Sequence, residues 1–86
     1  MNLRQVEPST EAKQGLSEGE RLFHFFAESS DGASEYFVAV HKNSEGNFRT
    51  ACQCRRAIFN LVRSVNEPCC KHAAEAVKIV EWELQR

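Results

Sequence analysis

A chain of 86 residues, 27% of them charged but with a net charge of only −1, has room for one small domain with a modest core. Its longest apolar runs fall far short of the roughly 18 residues that a membrane span needs. The polar stretch Met1 to Glu20 lacks the apolar segment of an export signal, so the expected compartment is cytoplasmic or nuclear rather than secreted.

The small net charge conceals a segregation. Met1 to His41 carries three basic against seven acidic residues, a net of −4. Lys42 to His72 carries six basic against two acidic, a net of +4, and the remainder carries −1.

In chain order, residues 1–20 read as a mobile acidic N-terminal tail, with a short helical turn that Ser9 or Thr10 can cap. Residues 21–86 form the domain. The run Leu22-Phe23-His24-Phe25-Phe26 within Arg21 to Ala27 predicts a first strand, stopped by the turn-forming Ser29-Ser30-Asp31-Gly32. Glu35 to Lys42, with Tyr36, Phe37, Val38 and Val40, predicts a second, ended at Asn43-Ser44-Glu45-Gly46-Asn47. A third, from Asn47 to about Cys54, places Phe48, Thr50, Cys52 and Cys54 on one face, so two thiols point the same way.

Large apolar groups occupy both faces of the first strand, Phe23 and Phe25 on one and Leu22 and Phe26 on the other. Helices are therefore expected over one face, with the tail or a partner over part of the second. Ile58, Leu61, Val62 and Val65 have the spacing of an amphipathic helix from about Arg55 to Val65, ended by Asn66-Glu67-Pro68. A last helix from about His72 carries Ala73, Ala76, Val77, Val80 and Leu84 on one face. The expected architecture is α+β, a three-stranded antiparallel meander followed by two helices.

The most informative residues are Cys52 and Cys54, with one residue between them, and Cys70 and His72, again with one residue between them, the two pairs separated by fifteen residues. Three thiols and an imidazole in two pairs across a loop make a complete tetrahedral shell for one structural Zn2+, with no position left for water or substrate. Four cysteines in a secreted mini-protein would also fit two disulfides, but a reducing compartment favours metal. Cys69 is the alternative donor: were the helix to begin at Pro68, Cys69 and His72 would lie at i, i+3 on one face. His24 and His41, inside strands, read as hydrogen-bonded sheet residues. A closed zinc shell supplies no hydroxide, and the chain has neither a phosphate loop nor a nucleophile motif, so neither enzymatic activity nor a small-molecule substrate is expected.

A meander whose last strand delivers Cys52-Gln53-Cys54, followed after a connection by Pro68-Cys69-Cys70-Lys71-His72 opening the Ala-rich run Ala73-Ala74-Glu75-Ala76-Val77, resembles the SWIM-type zinc finger. That family's pattern is Cys-x-Cys-x(n)-Cys-x-His, and the resemblance covers roughly Arg21 to Val80. In its register Cys70 is the ligand. The resemblance implies a module that binds DNA or proteins.

Two binding surfaces follow from the residues themselves. On the helix from Arg55, the side chains of Arg56, Asn60 and Arg63 lie opposite the apolar stripe with Phe59 beside them, and Arg49, Arg55 and Lys71 extend the basic patch. These types suit phosphate, base-edge and stacking contacts with nucleic acid, DNA foremost. On the terminal helix Trp82, with Ile79 beside it, lies away from the apolar face and predicts cover by the tail, by a protein partner or by a second copy in a homodimer.

Overall fold

The computed structural model describes residues 3–29, 32–54 and 66–85. Strands β1 (Leu3–Val6), β2 (Arg21–Glu28), β3 (Glu35–Lys42) and β4 (Phe48–Cys52) form one antiparallel sheet in chain order. Helix α1 (Thr10–Gln14) lies between β1 and β2, and α2 (Lys71–Leu84) follows β4. The helix expected over residues 55–65, with Arg55, Arg56, Phe59, Asn60 and Arg63, lies outside the described residues.

The sheet has four strands rather than the expected three. Leu3–Val6 pairs antiparallel with β2, Leu3 opposite Ala27 and Val6 opposite His24, so part of the stretch read as a tail is an edge strand. Four residues with two polar ones between Leu3 and Val6 carry no period of their own, and this strand exists because the edge of β2 offers it unpaired main-chain groups. The helical turn is present, with the Ser9 hydroxyl accepting from the Ala12 amide at 3.1 Å.

Alternation along the strands sends Phe23, Phe25 and Ala27 to the same face as Tyr36, Val38, Val40, Thr50 and Cys52. Onto that face packs α2, which turns Ala73, Ala76, Val77 and Val80 inward at the i, i+3, i+4, i+7 spacing. Small and β-branched residues on both sides of this interface let helix and sheet approach closely, and Phe25, Val38, Val40 and Val80 are fully buried. Burial of this apolar surface is the main stabilising term the described chain can supply, at roughly 25 cal/mol per Å2.

The opposite face is aromatic and only half buried. His24 meets the Phe37 ring edge-on at 4.7 Å between centroids, Phe26 meets Phe37 at 5.7 Å, and the Arg4 guanidinium sits 5.2 Å over Phe26. His41 also lies on this face, its Nε2 2.8 Å from Glu20 Oε2. Both histidines therefore serve the sheet. Gly19 closes the link into β2: with φ +87° it lies so near Ser44 of the β3–β4 turn that an added Cβ would meet the serine Cβ at 2.7 Å. No helix among the described residues is long and apolar enough to cross a membrane.

Candidate metal centre

The two donor pairs reach one point by different local means. Cys52 ends β4 opposite Val38, on the face that α2 covers. Gln53 then keeps one bond to the sheet, its amide donating to the Phe37 carbonyl at 3.1 Å. In an antiparallel ladder the return bond would run from the Phe37 amide to the Gln53 main-chain carbonyl; here the Phe37 amide donates to the Gln53 side-chain Oε1 at 3.2 Å. The side chain takes the place of its own backbone, and the chain can turn out of the sheet with Cys54 still directed to the covered side.

The second pair sits where α2 begins. Cys70 is the N-cap, fully extended at φ −165° and ψ 177°, and His72 lies in the first turn. One extended and two helical positions bring side chains at i and i+2 together, which a continuous helix does not do. The chain reaches this point along the outer edge of β4. Pairs Val38–Cys52, Val40–Thr50 and Lys42–Phe48 alternate with the hydrogen-bonded ones, so Phe48 and Thr50 turn their main-chain groups outward. Asn66, left-handed at φ 71°, takes up both such groups of Phe48: its amide donates to the Phe48 carbonyl at 2.8 Å, and its Oδ1 accepts from the Phe48 amide at 2.9 Å. Three residues on, the Cys69 amide donates to the Thr50 hydroxyl at 3.0 Å.

The result is that one donor atom each from Cys52, Cys54, Cys70 and His72 lies within 4.8 Å of all the others. His72 turns Nδ1 inward, 4.0 Å from Cys52 Sγ and 3.8 Å from Cys70 Sγ. A zinc tetrahedron with Zn–S of about 2.3 Å and Zn–N of about 2.0 Å has S···N edges of roughly 3.5 Å and S···S edges of roughly 3.8 Å. The donors thus stand within about an ångström of that geometry. Three thiols and one imidazole are a zinc-finger type of donor set, and they are able to hold one metal ion. Cys69 is buried beside the group and belongs to the core, while Cys70 supplies the sulfur of the cluster. None of the four cysteines is in a disulfide.

Burial pushes the Cys52 and Cys70 thiols above their ordinary value; the Cys54 amide and the Cys70 thiol act against the rise at Cys52, and the Ala73 amide acts against it at Cys70, while the Cys54 sulfur adds to it at both. Burial, and then the adjacent Lys71 charge, lowers the His72 pKa and favours the neutral imidazole that a metal needs. The Tyr36 ring packs against His72 at 5.4 Å between centroids. A cation would remove the cost of three clustered thiolates in one buried place.

The other sequence-predicted residues are dispersed. Arg49 pairs with His41 and so lies on the face of the sheet opposite the donors, while Lys71 is exposed at the start of α2. Ile79 packs at the border of the core, and Trp82 is 59% exposed. Gln53, Thr50 and Asn66, which shape the centre, had no role at the metal in the sequence reading: Thr50 was placed on the strand face of the thiols, Asn66 at the end of a helix, and Gln53 only as the residue between two cysteines. Set against family models, curated proteins and solved structures, the chain matches none, so the character of this centre rests on its own donors and their geometry.

Proposed function

We propose that the chain is a non-catalytic, SWIM-like module in which one structural Zn2+, held by Cys52, Cys54, Cys70 and His72, fastens the end of β4 to the start of α2. The observation that carries this reading is the convergence of four donors from two elements within 4.8 Å of one another. Four protein ligands complete a tetrahedron, so the ion would add folding energy and leave no site for water activation. Three thiolates suit a reducing compartment, cytoplasmic or nuclear.

Recognition is then the module's work, and nucleic acid is the partner that the charge distribution supports. The +4 segment Lys42 to His72 contains the ligands, with Arg49, Arg55, Arg56, Arg63 and Lys71 as cations and Phe59 and Asn60 as groups able to stack on or pair with bases. Fluorescence anisotropy of zinc-loaded protein with labelled duplex and single-stranded oligonucleotides tests this. Binding should weaken steeply with salt, and Arg56→Ala with Arg63→Ala should reduce the slope by roughly 0.7 to 0.9 for each phosphate no longer neutralised. Absence of binding to either form at low salt rejects the nucleic-acid reading. Exposure of Trp82 at 59% and Leu84 at 38% on one end of α2 favours a second reading, a protein-interaction adaptor or homodimer using Ile79 and Trp82. Sedimentation across a concentration series separates these: self-association abolished by Trp82→Ala supports the homodimer.

A further inference from the structure

We infer that Gln53, Thr50 and Asn66 are positioning residues of the metal centre, holding its two donor pairs in register, Asn66 and Thr50 along the outer edge of β4 and Gln53 on the side facing β3. This rests on the zinc reading above and extends it to side chains that touch no ion.

Asn66 and Thr50 act at successive points of one path. Asn66 fixes the chain beside Phe48, using its amide, its Oδ1 and its Nδ2, the last donating to Asn47 Oδ1 at 2.9 Å. Thr50, two residues along β4, receives the Cys69 amide. Cys52, two residues further, meets Cys70 and His72. Progress of two residues on β4 is matched by three and then one on the returning chain, so this is no regular strand pair. Without side-chain bonds nothing repeats that would set its register. Gln53 completes the arrangement from the other side by freeing the chain from the ladder between the two cysteines of the first pair.

Asn66 and Gln53 use the same device, one residue's amide group and side-chain oxygen serving both polar groups of one sheet residue. It anchors a chain to the sheet at a single residue, which a strand cannot do. Each device lies at one end of the connection between the donor pairs. Groups that orient ligands in this way commonly change metal affinity by about 10-fold to 100-fold when removed.

The test uses Co2+ as probe, in the full chain under reducing conditions, with Phe26→Ala on the opposite face as the control for stability alone. Gln53→Leu and Thr50→Val are expected to weaken cobalt binding about 10-fold to 100-fold and to shift the ligand-field absorption that reports donor geometry. Gln53→Glu and Thr50→Ser, which keep the accepting oxygens, are expected to restore both. Asn66→Gly keeps the left-handed backbone while removing the side-chain bonds, and should resemble the first two. Phe26→Ala should leave the absorption band in place. The inference is overturned if Gln53→Leu and Thr50→Val match Phe26→Ala in affinity relative to melting temperature and leave the band unmoved. Failure of the wild-type chain to give a tetrahedral cobalt spectrum would instead reject the zinc reading, and this inference with it.

Discussion

Phe25 and Phe26 are neighbours in sequence and live in different surroundings. Phe25 is fully buried between the sheet and α2, in the layer that also contains Cys52; Phe26 lies half buried on the opposite face, between Phe37 and the Arg4 guanidinium. The covered face is packed from small and branched side chains and includes the donors, whereas the other holds together through ring edges and exposed charges. Close packing is sensitive to every missing methylene, and ring edges near solvent can be trimmed at small cost. The domain's stability is therefore expected to be concentrated on one side of one sheet.

The strongest way to break this comparison is to remove the proposed metal. Purified protein should contain about one zinc per chain, and a chelator should unfold it, because structural zinc supplies on the order of 10 kcal/mol while small domains have total stabilities of only about 5. Far-ultraviolet circular dichroism during chelation checks this; a cooperative fold retained in chelator would reject it. Cys70→Ser should lose zinc and Cys69→Ser should keep it, as stoichiometry by mass spectrometry will show.

Acid should act like a chelator, since protons compete for the thiolates and the imidazole. Whatever structure survives without metal should show the opposite limb. Its Cys52 and Cys70 thiols are raised above their ordinary value of 9.0 by burial, so the folded form retains protons that the unfolded form gives up. That contribution is fully present below about pH 9 and is lost as pH rises through the thiol range. Any residual structure in chelator should accordingly melt at lower temperature above about pH 9, and zinc-loaded protein, whose thiols are already ionised, should not show this decline. Equal alkaline limbs with and without zinc would contradict the assignment of these thiols as ligands.

The paired phenylalanines sharpen the contrast in zinc-loaded protein. Phe25→Ala should cost about 3 to 5 kcal/mol in urea unfolding, the range for a large core side chain replaced by a small one. Phe26→Ala should cost about 1 to 2 kcal/mol, from partial burial and two ring contacts. Similar losses for both would mean that the two faces are equally packed. The smallest effect belongs to Arg4 and Glu35, 3.4 Å apart with side chains 63% and 49% exposed. A double-mutant cycle should give them below about 1 kcal/mol, and less in high salt.

Much of this was legible in the residues because it is local. The second strand's bounds at Glu35 and Lys42, the α2 stripe of Ala73, Ala76, Val77 and Val80, and the convergence of Cys52 with Cys54 follow from periods of two and 3.6 that a chain imposes on itself. The pairing of donors was legible for the same reason, since ligand spacing is fixed by strand end and helix start. Leu3–Val6 was not, because its strand is borrowed from the β2 edge, and a four-residue segment without alternation announces nothing before that edge exists.

By itself the sequence determined which side chains are able to bind a metal, which faces are apolar, and that Cys70 and His72 stand where a helix begins. Tertiary structure alone decided which of the two apolar sheet faces α2 covers and that Cys70 rather than Cys69 joins the cluster. Those outcomes depend on pairings between residues far apart in the chain: Asn66 with Phe48, Thr50 with Cys69, Gln53 with Phe37. Such pairings have no period and no motif, and their energies appear only once the sheet has brought the partners within a hydrogen bond of each other.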